Sequence, residues 1–95
     1  MKFNFDKYQG TGNDFIMIDD RSAIFPKDNS SIINQLCNRH IGIGADGLIL
    51  LQNSTKGDFK MRYFNADGNP GSLCGNGGRC AFAFAKSLNL SLIHI

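Results

Sequence analysis

The stretch Leu73-Cys74-Gly75-Asn76-Gly77-Gly78-Arg79-Cys80 runs straight into Ala81-Phe82-Ala83-Phe84-Ala85-Lys86, and no other part of the chain restricts its fold as much. Alanine is the best helix former and a poor strand former, so residues 81 to 88 read as helix although Phe82 and Phe84 alternate with alanines. Cys80, Phe84 and Leu88 stack at i, i+4 and i+8, and Phe82 with the alanines makes the other faces apolar too. A helix apolar all round has to be buried on nearly all sides. The expectation is a mixed α+β (α/β) architecture in which a curved mixed sheet wraps one central helix. Chemistry belongs at the start of that helix, where backbone N–H groups and the helix dipole favour negative charge. A thiol there, Cys74, can ionise below the ordinary cysteine value of ~8.5 and serve as nucleophile or proton carrier. The plainer reading is a buried structural cysteine beside a loop.

A chain of 95 residues makes at most one domain with a modest core. Hydrophobic content of 42% argues for a globular chain, while 19% charged residues and a net charge of +2, with no basic run, exclude a nucleic-acid face. No apolar segment is long enough to span a bilayer, so no membrane association is expected. Three cysteines without a Cys-x-x-Cys spacing, and no basic-then-apolar leader at Met1-Lys2-Phe3-Asn4-Phe5-Asp6, point to free thiols in a reducing cytoplasm. The glycines cluster at 10/12, 42/44/47, 68/71 and 75/77/78, which puts backbone-exposing turns at four places where a small ligand can be gripped.

Lys2 to Tyr8 and Phe15-Ile16-Met17-Ile18 read as strands, the second ended by Asp19-Asp20. The polar loop Gln9-Gly10-Thr11-Gly12-Asn13-Asp14 between them is either solvated or ligand-facing. Ile32, Ile33, Leu36 and Cys37 follow helical spacing after the N-cap candidates of Asp28-Asn29-Ser30, with Arg39 and His40 as basic residues in the last turn and Gly42 as the stop. Gly42-Ile43-Gly44-Ala45-Asp46-Gly47 satisfies G-x-G-x-x-G. A dinucleotide fingerprint needs a strand before and a helix after, and here a helix precedes the β-type run Leu48-Ile49-Leu50-Leu51, so the glycines merely bend helix into strand. Phe59, Met61 and Tyr63 alternate with Lys60 and Arg62 as a half-buried strand. Leu90-Ser91-Leu92-Ile93-His94-Ile95 begins another β-like run and stops without a turn, so residues 89–95 read as a truncated tail.

Four blocks, Gly12-Asn13-Asp14-Phe15-Ile16, Cys37-Asn38-Arg39-His40-Ile41-Gly42-Ile43-Gly44-Ala45-Asp46-Gly47, Phe64-Asn65-Ala66-Asp67-Gly68 and Cys74-Gly75-Asn76-Gly77-Gly78-Arg79-Cys80, occur in the order and spacing of diaminopimelate epimerases, a family this chain resembles. The resemblance implies a fold of two similar halves, each a sheet wrapped around a central helix, with the active site in the cleft between them. Residues 1–95 would supply only the first, N-terminal half, leaving the C-terminal half as a missing partner and a homodimer open. It implies interconversion of LL- and meso-2,6-diaminoheptanedioate, towards lysine and cell-wall peptide, without pyridoxal phosphate, metal or other cofactor. Inverting an α-carbon needs one acid/base group on each face, and by resemblance Cys74 is one of two thiols that do this. Gly75 and Asn76 would hold the reacting-centre carboxylate through main-chain N–H groups. Asn13 and Asn65 map onto substrate contacts, an amide suiting a zwitterionic substrate because it both donates and accepts; read alone, each is equally a turn former. Some relatives carry glutamine where this chain has Gly47, so any contact there must come from backbone or a neighbour.

Cys80, six positions beyond Cys74, points to the opposite side of a helix and reads as core packing. Cys37 and His40 at i, i+3 make half a zinc spacing, but Cys74 and Cys80 are too far apart in sequence to complete it, so no metal site is expected. His40 reads as a capping or packed residue. A same-fold isomerase acting on proline or a phenazine precursor is the alternative function, against which the Asn13-Asp14-Phe15 and Arg39-His40 blocks argue. A non-catalytic or metal-binding fragment is the third.

Overall fold

The structure, a computed structural model, describes residues 3–9, 12–54, 59–71 and 75–88. Five strands form one sheet in the order β1-β2-β3-β4-β5, with β1 Asp6–Gln9, β2 Asp14–Asp19, β3 Gly47–Asn53, β4 Phe59–Asn65 and β5 Pro70–Gly71. Only β2 and β3 run parallel; every other neighbouring pair is antiparallel. Parallel strands need a crossover, and helix α1 (Ser30–Cys37) lies within it. Helix α2 (Gly75–Ser87) follows the sheet.

The two central strands are apolar on both faces because each face meets its own helix. Phe15, Met17, Ile49 and Leu51 pack with Phe59 against Cys80, Ala81, Phe84 and Ala85 of α2. The intervening residues Ile16, Ile18, Leu48 and Leu50 face the other way, onto Ile33 and Cys37 of α1 with Phe25 and Phe64. Leu48, Ile49, Leu50 and Leu51 are all 0% exposed, the continuous run expected of a strand covered on both sides. Truncating any one of them to alanine removes contacts worth about 2–5 kcal/mol.

The mixed α+β class therefore stands, with one difference in how α2 is covered. Its buried stripe is the i, i+1, i+4, i+5 set from Cys80 to Ala85, while Phe82 is 46% exposed and Ala83 is also open. One sheet face reaches only one side of a helix, so among the described residues the all-round apolar pattern is half used.

Two local expectations shift. The first strand begins at Asp6 rather than Lys2; Phe3 instead packs its ring on Phe25, centroids 5.0 Å apart. Helix α1 starts where Asn29 caps it, its side chain accepting from the Ile32 N–H at 3.2 Å. It stops earlier than the basic residues suggested. Asn38, at ψ 126°, is the C-cap, and its Oδ1 accepts from the His40 and Ile41 N–H groups at 2.8 and 3.2 Å. That side-chain turn competes with the helix, leaving Arg39 and His40 in the following loop, both exposed. The loop folds back along α1 through Gly44 N–H to Leu36 C=O and Ala45 N–H to Cys37 C=O, both 3.0 Å. Glycine is required at 42, where a Cβ would collide with the Gln35 carbonyl oxygen. The glycines thus bend helix into strand, and the dinucleotide fingerprint has no place.

Candidate functional site

Register brings the distant blocks together. Phe15 pairs with Gly47 across β2 and β3, and Gly47 pairs with Asn65 across β3 and β4. Asn13, Gly47 and Asn65 therefore stand at one end of the sheet. On β4, alternate residues Phe59, Met61, Tyr63 and Asn65 share a face, the face that α2 covers. Burial falls along this row from Phe59 through half-buried Met61 and Tyr63 to exposed Asn65, so the face opens towards the same end. From there β5 pairs Gly71 with Tyr63, and four peptide links lead from Gly71 to Gly75, which bounds the helix start to within ~15 Å of β5.

The loops before β2 and β3 are clamped by charge. Asp46 Oδ2 accepts from Asn13 Nδ2 at 3.3 Å and from the Asp14 N–H at 3.1 Å, while the Asp46 N–H donates back to the Asp14 carbonyl at 2.9 Å. Arg39 donates to both Asp14 carboxylate oxygens, at 3.1 and 2.8 Å, and Lys7 donates to one of them at 3.0 Å. A two-pronged guanidinium fixes the carboxylate plane as well as its charge. The Arg39 guanidinium first, then Lys7, holds the Asp14 carboxyl well below the usual carboxylate range, and Arg39 is itself raised. Because a carboxylate only accepts, Asp46 orients the Asn13 amide with its NH2 towards Asp46. The Asn13 turn is thus built around a neighbouring carboxylate, whereas the Asn65 turn is closed by backbone: its N–H donates to the Asn69 carbonyl and its C=O accepts from Gly68 N–H, both at 2.9 Å.

Gly75 and Asn76 are the first two residues of α2, so their N–H groups belong to the four that no helix carbonyl can satisfy. Cys74 lies outside the described residues, as does the segment 89–95. The other two cysteines have no catalytic setting. Cys80 is 4% exposed in the α2 core, as its place in the repeat suggested. Cys37 is equally buried, and burial pushes its thiol up to about 11, with the Asp14 charge adding to the rise. His40 is neither packed nor capping through its ring, being exposed in the loop. Among the described residues no three His, Cys, Asp or Glu side chains come close enough to share a metal ion, and no helix is long and apolar enough to cross a membrane.

Sequence reasoning named Asn13 and Asn65 and missed Asp14, Arg39 and Asp46. The opposite charges flanking two glycine loops were the available signal.

A family model described as diaminopimelate epimerase matches residues 5–92. The chain belongs to the diaminopimelate epimerase family. It is 67% identical over 84 residues to the diaminopimelate epimerase of Flavobacterium psychrophilum, covering 88% of this chain and 33% of that one. The diaminopimelate epimerase of Chlorobaculum tepidum is 53% identical over 81 residues, covering 85% and 31%. The chain thus spans about a third of the length of the curated relatives it matches. Among solved structures, a Bacillus anthracis phenazine biosynthesis protein of the PhzF family superposes with a TM-score of 0.60 at 22% identity, over 96% of this chain and 30% of that one. That likeness is one of fold, while the family assignment separates the chain from the phenazine-type alternative.

Proposed function

We propose that this chain is the N-terminal part of a diaminopimelate epimerase, acting on 2,6-diaminoheptanedioate by proton exchange at an α-carbon between two thiols. Cys74 is one of the pair, the proton donor in the LL-to-meso direction and the acceptor in reverse. A matching thiol comes from the part of the family's length that follows. The α-proton is weakly acidic, and negative charge spreads into the adjacent carboxylate as it leaves. The Gly75 and Asn76 N–H groups at the start of α2 offset that charge, which is why no metal or cofactor is needed in this reading. Asn13 and Asn65 contact the polar ends of the substrate. The observation that supports this best is convergence: Asn13, Gly47 and Asn65 share one end of the sheet although they lie far apart in sequence, and α2 begins four links after Gly71 of β5, which pairs with Tyr63. The reaction takes place in a reducing cytoplasm, where the thiols stay free.

The test fuses residues 1–88 to the downstream portion of the Flavobacterium psychrophilum relative and follows deuterium uptake at the substrate α-carbon by NMR. The fusion exchanges the proton, Cys74→Ala abolishes exchange, and the isolated chain shows no turnover. Undiminished exchange by the Cys74→Ala fusion, or turnover by the isolated chain, would overturn the proposal.

A further inference from the structure

The geometry points to Asp46 as a positioning residue for substrate binding, one that acts on the amino-acid ligand only through Asn13 and is itself held in place by Arg39 and Asp14. The inference rests on the ligand role proposed above for Asn13.

Asn13 lies in the loop before β2, where the local chain alone leaves a side chain several rotamers. Asp46 Oδ2 receives its Nδ2 at 3.3 Å and the N–H of the next residue, Asp14, at 3.1 Å. One oxygen thus ties the side chain of Asn13 and the backbone beside it to the same point. The Asp46 N–H returns to Asp14, 2.9 Å from its carbonyl oxygen and 3.2 Å from Oδ1. With bonds running both ways between the two loops, Asp46 and Asn13 keep a fixed relation.

Asp46 is in turn braced from behind. Arg39 spans both Asp14 oxygens, and its Nη2 also lies 3.4 Å from Asp46 Oδ1. The stem of Arg39 is seated on Gly44, whose φ of 84° brings its backbone so close that a Cβ there would stand 3.1 Å from both Cα and Cγ of the arginine. Lys7 crosses from β1 to Asp14 at 3.0 Å and donates to the Gly44 carbonyl as well. The strands themselves do not depend on this clamp, since β2 and β3 pair from Phe15 with Gly47 to Asp19 with Leu51 through a buried apolar core. The clamp sets the loops at the sheet end. A ligand-contacting amide gains from such a setting, because ordering a side chain at the moment of binding costs affinity.

Side-chain 15N relaxation at Asn13 Nδ2 in the chain of 95 residues reads the hold directly. The amide is ordered in the native sequence and in Asp46→Asn, which keeps an oxygen for both donors, and becomes mobile in Asp46→Ala. Deuterium uptake by the fusion described above reads the consequence. Asp46→Ala raises KM for meso-diaminopimelate roughly fivefold, the value of one hydrogen bond, with kcat little changed. Asp46→Asn recovers most of that loss, and in an Asn13→Ala background Asp46→Ala adds nothing. Asp46→Glu, which keeps the charge but carries the carboxylate one methylene outward, gives the same rise and serves where Asp46→Ala does not fold. An Asn13 amide equally ordered without Asp46, an unchanged KM, or an equal rise in the Asn13→Ala background overturns this inference and leaves the proposed function standing. A parent fusion that exchanges no proton removes both.

Discussion

Asp20 follows β2 and is 1% exposed, with every oxygen of its carboxylate in use. Oδ1 accepts from the Ile24 and Phe25 N–H groups at 3.0 and 2.9 Å, closing the turn after β2, and Oδ2 accepts from Gln52 Nε2 at 2.7 Å. Gln52 Oε1 in turn accepts from Arg62 Nε at 3.0 Å. Direction is forced along this chain, since Arg62 only donates and the Asp20 carboxylate only accepts, so the Gln52 amide has a single orientation. Asp20→Asn keeps an oxygen for the two backbone donors but turns an NH2 towards the Gln52 NH2. Rotating Gln52 merely moves the conflict to Arg62. One buried donor then goes unpaired, at a cost of about 1–3 kcal/mol; Asp20→Ala strands both Phe25 N–H and Gln52 Nε2, at about 2–6 kcal/mol. Gln52→Glu alone places two carboxylates face to face and is also destabilising. When Asp20→Asn and Gln52→Glu are combined, the amide at position 20 donates to the carboxylate at position 52, which still accepts from Arg62, and the chain of bonds is whole again. Urea unfolding followed by circular dichroism reads the cycle. With a slope of ~1–3 kcal/mol per molar, a loss of about 2 kcal/mol moves the midpoint by roughly 1 M. The double variant recovers at least about 1 kcal/mol over the sum of the singles. Strictly additive midpoint shifts would show that proton direction is irrelevant here and that the reasoning is wrong.

Two further outcomes follow from the charges around the α1 end. The Cys37 thiol is raised by burial to about 11, so its contribution to stability is intact below the unfolded value of ~8.5 and is lost as pH rises from there to about 11, on the order of 2–3 kcal/mol; Cys37→Ala should flatten that alkaline limb of the unfolding-free-energy profile, and an unchanged limb would contradict the assignment. Asp14 is lowered, chiefly by Arg39, so its contribution is present above the ordinary aspartate value of ~3.9 and lost as pH falls below it; Arg39→Ala should destabilise at neutral pH by an amount that shrinks below about pH 4, and a pH-independent loss would mean the pair is not the cause.

Elements that depend on neighbours in sequence were readable in advance. The apolar runs of β2 and β3, the alternation of β4 and the alanine content of α2 each announce their own structure, because burial period and propensity act over a few residues. What escaped needed a partner from elsewhere. Asp19-Asp20 reads as a polar stop, and only the backbone donors of Ile24 and Phe25 and the Gln52 amide turn Asp20 inward while Asp19 stays on Arg21 at the surface. Arg39 reads as a helix-end cation until Asn38 ends α1 and hands it to Asp14. Asn13 and Asn65 came from family resemblance, since no periodicity distinguishes them from turn asparagines. Tyr63 reads as one more member of the β4 alternation, because Gly47 and Gly71 become its walls only when the β3 and β5 registers are known. Register is thus where fold becomes site: sliding β4 by one residue against β3 would turn Tyr63 and Asn65 to the α1 face and bring Lys60, Arg62 and Phe64 onto the α2 face in their place.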